Sequence, residues 1–375
     1  MRALPRPLVS SARIFAYLAL TVSLAGCLAA SVWEVVNFSI YNKAYDFNYY
    51  RNDAMHAYLH GWAAYYSSGD HTIGPPLQGL VMFPFLFIDP NLGFVIWTAL
   101  SLGALALIWW LATSRQWWLL PLLAVLFPIV YTLLLGQIVV FVGAAVVLGW
   151  WLASRGHPLA GGIVLSLATI KPQLILLLPL VLLLAGHRRL FVGFCLGTLS
   201  LLALSFGLVG PTGVADALAN QQYILSHPHN NYLIKNMILT LWLGLWPGLA
   251  LSALLAGLTG WLAWRARHSP LGIAFAIGLL GSLLVSPYLH PQDLTLWVVA
   301  GLFMVRFAWL PPLLSALGLF ATWSWISLTD TLFAAVVPNF AWVPFVPLVS
   351  LLGLVVLAVS LLRLPPRGVP PALAS

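Results

Sequence analysis

Charge is what this sequence most lacks. Of 375 residues only 6% are Asp, Glu, Lys or Arg, against about a quarter in an average soluble domain. Acids are the scarcer kind, 8 against 16 bases, for a formal net charge of +8. So little charge excludes a cytosolic enzyme and a disordered chain. The basic excess does not make a nucleic-acid surface, because the cations lie scattered between apolar runs rather than gathered in a patch. Cysteine is nearly missing as well: Cys27 and Cys195 both sit in apolar segments, which leaves neither a disulfide framework nor a zinc site. No glycine-rich dinucleotide or phosphate loop is found.

What fills the chain instead is apolar: 62% of it, in repeated runs of bilayer length. A membrane β-barrel would show alternating segments of about ten residues and is excluded. The expectation is an all-α polytopic transmembrane bundle, one integral membrane domain over 1–375. Its first span runs over about 14–36, an extracytoplasmic loop follows over 37–90, the remaining spans fill 91–363, and 364–375 is a cytoplasmic tail. Those later spans are placed near 91–112, 117–135, 137–153, 158–170, 173–186, 190–209, 240–263, 270–286, 293–308, 311–328 and 345–362, about twelve in all. Ser23-Leu24-Ala25-Gly26-Cys27 reads like a lipoprotein cleavage site, but the apolar run continues to Val36 at full span length.

Charge follows the parity of these spans. Arg2, Arg6 and Arg13, then Arg115, Arg155, Arg188 with Arg189, Arg265 with Arg267, Arg306, and Arg363 with Arg367 fall on one side. By the positive-inside rule that side is cytoplasmic, and so are both termini. Lys43, Arg51, Lys171 and Lys235 fall outside, and all the acids lie outside or at the outer boundary. Trp109-Trp110, Trp117-Trp118, Trp150-Trp151 and Trp264 flank the inner arginines as an interfacial belt. The runs 158–170 and 173–186 are too short to cross alone and meet at Lys171-Pro172-Gln173. Such a broken hairpin is tolerated only where protein buries it or a cavity is lined by it.

Polar residues gather in three outer segments: the loop 37–90, the stretch 210–236 with Asp216, His227, His229 and Lys235, and the turn from Ser286 to Asp293. In the first, a helix puts Asp46, Tyr50 and Asp53 on one face, and an acid among aromatics at a membrane surface gains basicity. The alternative is a solvated helix start with Asp46 as its cap. Asp53, His56 and His60 have the spacing of three metal ligands on one face, without a supporting shell, and no metal is assigned. Lys171 is a charge at membrane depth, where a cation marks a functional path or a buried counter-ion and can serve a phosphate as a point charge. Gln137 is placed to line the same cavity, and Pro287 and Pro291 stiffen the turn that carries His290.

Taken together, Asp46-Phe47-Asn48-Tyr49-Tyr50, Gly74-Pro75-Pro76-Leu77, Leu135-Gly136-Gln137, Ile170-Lys171-Pro172-Gln173 and Ser286-Pro287-Tyr288-Leu289-His290 resemble glycosyltransferase family 87, of the GT-C superfamily of membrane glycosyltransferases. The resemblance covers about residues 14–300. It implies juxtamembrane helices over 46–66 and 77–88 and a polyprenol-phosphate-mannose-dependent mannosyltransferase activity. It also implies Asp46 as catalytic base, His290 in proton handling and Lys171 near the donor phosphate. Many members carry a paired histidine where this chain has only His290, and an asparagine where Val139 stands. The chemistry then expected is transfer of a hexose from a polyprenyl-phosphate donor to a glycolipid or glycan acceptor, with inversion, at the outer face of a bacterial plasma membrane. Asp46 and His290 are the catalytic candidates; Lys171, Gln137, Tyr50, Arg51, Lys235 and Gln173 are the donor-phosphate and substrate contacts. No cofactor is implied, since the lipid-linked sugar is a substrate; a divalent metal is compatible but nothing indicates one. The rival from another class is a lipid or sugar transporter or flippase, which predicts inverted repeats that the two halves do not show.

Overall fold

A computed structural model describes residues 44–67, 74–113, 126–226, 245–286 and 289–305, and within them every regular element is helical. The first, α1 (Tyr45–His60), is polar and no candidate to span. It stops at Gly61 (φ +90°), and a 3-10 turn, Trp62–Ser67, follows. α2 (Pro76–Met82) starts on a proline whose fixed φ suits a first helical turn, and runs on into a 3-10 segment, Phe83–Phe87. These two pieces stand where the juxtamembrane helices were expected.

α3 (Pro90–Ala112) is apolar throughout and is capped by Asp89, whose Oδ1 accepts from the N–H of Asn91 and Leu92 at 3.0 and 3.1 Å. Then come α4 (Phe127–Leu135), α5 (Val139–Ser154), α6 (Pro158–Ser166), α7 (Leu178–Leu184), α8 (Arg188–Ser226), α9 (Leu245–Arg265), α10 (Leu271–Val285) and α11 (Thr295–Val305). Pro90–Ala112, Arg188–Asn220 and Trp246–His268 are long and apolar enough to cross a bilayer. α4 and α5, bent by 120° around Gly136, make a fourth if the pair is one span. That pair stands where two spans were expected. Pro158–Ile170, Pro172–Leu184, Leu271–Val285 and Gln292–Phe303, where four more were expected, are shorter apolar helices, so the described residues hold three or four span candidates.

α10 is the centre of the bundle: everything from Gly272 to Leu284 is buried, with α7, α9 and α11 packed around it. α6 reaches α8 closely because a Cβ on Gly162 would come within 2.1 Å of the Leu190 carbonyl oxygen, and one on Gly193 as near to that of Leu159. α8 breaks at Gly210 (φ +64°), just before Pro211 and where the span 190–209 was expected to end. Its continuation covers the first loop, with Asn220 Nδ2 donating to the Tyr66 carbonyl at 2.8 Å. Along the chain the turns alternate: Gln137 before α5 and Arg155 after it, Lys171 before α7 and Arg188 after it. Lysine and glutamine therefore mark one end of these helices and arginine the other. At the arginine end the guanidinium groups of Arg155 and Arg267 lie over the rings of Trp151 and Trp264, at 5.2 and 4.7 Å from their centroids.

The start of α1 is locked onto the turn between α4 and α5. The Ala44 N–H donates to the Leu134 carbonyl at 2.9 Å, with Ala44 itself left-handed (φ +61°), alone among the described non-glycine residues. Phe47 is fully buried among Phe85, Phe94 and Trp97. Gly136 has φ +71°, and a Cβ there would lie 2.7 Å from that of Phe47. Trp97 Nε1 completes the joint by donating to the Gly136 carbonyl at 2.9 Å.

Gly136→Ala should therefore cost about 1–3 kcal/mol, from positive-φ strain plus displacement of Phe47. Ala44→Gly relieves a left-handed residue and should melt no lower than the parent. Thermal unfolding of the two variants in detergent checks both.

Candidate active site

Four segments remote in sequence bring their polar side chains together at the lysine end of the bundle. Gln137, in the turn after Gly136, is the hub. Its Oε1 accepts from Tyr50 OH at 2.9 Å and from Lys171 Nζ at 3.4 Å. Its side chain also bonds the Asp46 carboxyl. A carboxylate only accepts and Oε1 is already taken, so the amide N–H is what Gln137 offers Asp46. Lys171 Nζ is ion-paired with Asp293 Oδ1. The other oxygen, Oδ2, accepts from the His290 backbone N–H at 2.9 Å, while the Asp293 N–H returns a bond to the His290 carbonyl at 2.9 Å. Asp293 is 0% exposed and Lys171 6%.

Local sequence explains each placement. Pro172 disfavours helical backbone at the residue before it, and Lys171 is extended (φ −136°, ψ 72°) between the 3-10 turns Leu167–Ile170 and Pro172–Ile175. The freed carbonyl of Ile170 is met by Gln78 Nε2 at 2.8 Å. Gln78 reaches it by folding back over Gly74, where any side chain would strike Gln78 Oε1 at 1.9 Å. The Gly74-Pro75-Pro76 stretch is thus a support for the lysine turn. Pro291 opens the 3-10 turn Pro291–Leu294 that carries Asp293. Thr132 Oγ1 ties that turn to α4, lying 3.3 Å from the Gln292 carbonyl and 3.1 Å from Thr295 Oγ1.

Asp46 lies within the first turn of α1, and the capping position is Ala44, so it is not the helix cap. Its carboxyl is pushed up from 3.8 to about 6. Burial is the largest cause; the Lys171 charge and the Gln137 hydrogen bond draw it back down, and Asp293 pushes it up. Its Oδ2 is out of solvent and has no hydrogen-bond partner. The His290 ring, in the connecting turn, is lowered chiefly by burial, against the pull of Asp293, with Lys171 also lowering it. The imidazole is therefore neutral at pH 7.

The other expected residues divide. Tyr50 joins the group through Gln137. Gln173 is buried two residues from Lys171, with no partner for its Nε2. Arg51 turns away to the carbonyls of Phe85 (3.1 Å) and Leu86 (3.5 Å), so the structure does not bring it to Lys171. Lys235 lies outside the described residues. Asp53 shares the buried face of α1 but acts on Tyr65 and Tyr66, with burial and then Asp53 pushing the Tyr66 hydroxyl up to about 12. The rings of His56 and His60 lie 4.6 Å apart, tilted by 46°, and no group of three metal-ligating side chains converges among the described residues. Two members of the site went unselected in the sequence, Asp293 and Gln78. The signal for Asp293 was present: a lysine at membrane depth requires a counter-ion, and few acids exist to supply one. Lys171, expected to mark a functional path or meet a buried counter-ion and to serve a phosphate as a point charge, is half of an ion pair.

Comparison with known protein families gives one finding. The sequence profile of Glycosyltransferase family 87 matches residues 73–287, more than half of the chain. The matched stretch contains Gln78, Gln137, Lys171 and Gln173, and stops short of Asp46, His290 and Asp293. No curated protein and no solved structure matches.

A carboxyl whose pKa is higher folded than unfolded takes up a proton on folding. Its contribution to stability is fully present below about 3.8 and is lost as pH rises through about 6. Wild-type protein should accordingly lose melting temperature relative to Asp46→Asn across that window, with the variant at least as stable at pH 7. Unfolding curves of both proteins at a series of pH values measure it.

Proposed function

We propose, from the premise that this chain belongs to glycosyltransferase family 87, that it transfers a hexose, mannose by the family likeness, from a polyprenyl-phosphate donor to a lipid or glycan acceptor at the extracytoplasmic face of a membrane. A glycosyltransferase needs a sugar donor and an acceptor. The finer statement rests above all on one observation: Asp46 and Lys171 share the side chain of Gln137 at the end of a membrane bundle. The alternation of turns supports the outer side: the site lies at the helix ends opposite Arg155, Arg188 and Arg265, which the positive-inside rule favours in the cytoplasm.

The chemistry asks for little else. A sugar on a lipid phosphate has a good leaving group and needs no acid to protonate it. It needs a base for the acceptor hydroxyl and a donor for the charge that gathers on the departing phosphate. Asp46, raised to about 6, is ionised at neutral pH yet basic enough to take a proton, and its unpartnered Oδ2 is free to do so. The acceptor oxygen attacks the anomeric carbon as the hydroxyl proton passes to Asp46, and the carbon–oxygen bond to phosphate breaks with its electron pair on the phosphate. One in-line displacement inverts the anomeric centre. Lys171 has three N–H donors, of which Asp293 and Gln137 occupy two, so the third is the one available to a phosphate oxygen. His290, neutral beside the same ion pair, is the group that can exchange a proton there. Gln173 Nε2 is a buried donor for a sugar or phosphate oxygen.

In membranes given labelled polyprenyl-phosphate mannose, Asp46→Asn should lower kcat by about 10²–10⁴-fold while the protein stays folded. Wild-type kcat/KM should fall as pH drops through about 6, where the base takes up its proton. Normal transfer by the variant removes Asp46 from the role of base.

A further inference from the structure

Asp46 and Lys171 carry opposite charges and are near enough to act on each other electrostatically, yet they are not ion-paired. The ammonium goes to Asp293, and the Gln137 amide stands between it and Asp46. A buried ammonium pairs with whichever carboxylate reaches it, and Asp46 has an oxygen, Oδ2, with no partner to give up. Two features let Asp293 win. It is fully buried, so its charge is costly unless paired, whereas Asp46, at the start of α1, keeps partial exposure as a residue although its Oδ2 is out of solvent. It is also held in place, by the His290 N–H on Oδ2 and by the 3-10 turn that Pro291 opens.

We propose that Asp293 is a positioning residue that holds Lys171 away from Asp46, so that the base and the cation of the site stay separate groups instead of collapsing into one salt bridge. This rests on the reading of Asp46 as the base. A base locked in a salt bridge holds a proton weakly and leaves no ammonium hydrogen for a phosphate, so the separation serves both halves of the reaction. The groups acting on Asp46 are Lys171 from the hairpin tip, Asp293 from the turn after α10, and the uncharged Gln137, which Tyr50 also bonds. Losing the Asp293 charge removes a like charge and frees an opposite one to approach. Both changes weaken the hold of Asp46 on its proton.

Infrared titration of the purified protein in detergent, without substrate, tests this. The protonated-carboxyl band that disappears in Asp46→Asn identifies Asp46, with its midpoint near 6 in wild type. In Asp293→Asn that midpoint should move to lower pH by about one unit or more, as for a carboxylate gaining a cationic neighbour. The acid limb of kcat/KM should move with it, and kcat should drop about tenfold or more with less change in KM. Asp293→Glu, which keeps the charge, should restore both. A folded Asp293→Asn whose midpoint is unmoved or raised overturns the proposal. Lys171→Met compared with Lys171→Met/Asp293→Asn separates the direct effect of the Asp293 charge from its hold on Lys171, and decides also if Asp293→Asn fails to fold. With no ammonium left to restrain, removing Asp293 should then change the midpoint by no more than a few tenths, and a drop of about one unit would mean that Asp293 acts on Asp46 directly. Transfer that survives in Asp46→Asn would remove the base reading while leaving the infrared result standing.

Discussion

A positive charge buried in an apolar bundle has to be answered by a negative one, and the arrangement around Lys171 is built on that need. An ammonium at membrane depth costs about 2.5 kcal/mol or more even by the mildest scales, and far more if left unpaired. Asp293 answers it, and both are almost wholly out of solvent. Because one carboxylate serves the hairpin tip and the turn before α11 at once, the two cannot move independently without leaving a buried charge exposed to low dielectric. Gln137 extends the same network to Tyr50 and Asp46 on α1. The polar core is thus a single connected set, and the apolar helices around it fix its parts at turns rather than along helix faces.

Asp46 stands apart from this economy of paired charges. Its elevated pKa means that the folded protein holds it in a setting it would not choose on stability alone, with one buried oxygen unsatisfied. Reactive groups are commonly held so, because a carboxylate stabilised by full hydrogen bonding is a poor base. The strain has a second expression in the backbone, where Ala44 occupies a left-handed conformation two residues before it. Both are sustained by the aromatic packing of Phe47 against the turn at Gly136.

Much of this was open to inspection in the residues. The proline after Lys171 and the shortness of the runs either side announced a broken hairpin, which is present; the span expected to end at 209 instead kinks at Gly210 and continues. Periodicity put Asp46 and Tyr50 on one helical face, and they do share Gln137. Asp53 shares that face by spacing but not by surroundings, since Tyr65 and Tyr66 come to it from a later segment. Arg51 is expected from the sequence to help hold the donor phosphate, but its partners are two carbonyls more than thirty residues on. Spacing along one helix cannot report what packs against it.

The sequence by itself determined that the chain is a helical membrane protein, which helix ends carry arginine, and where the helices must break. Those follow from hydropathy, from proline and glycine chemistry, and from the cost of charge in lipid, all of them properties of short segments. Only the tertiary structure decided that Lys171 belongs to Asp293 rather than to Asp46, that Gln78 supports the lysine turn from across the bundle, and that Asp46 keeps an oxygen free. Pairing between residues more than a hundred positions apart is a choice among competing partners, settled by which helices pack together and which carboxylate is more deeply buried, and neither is written in the local pattern.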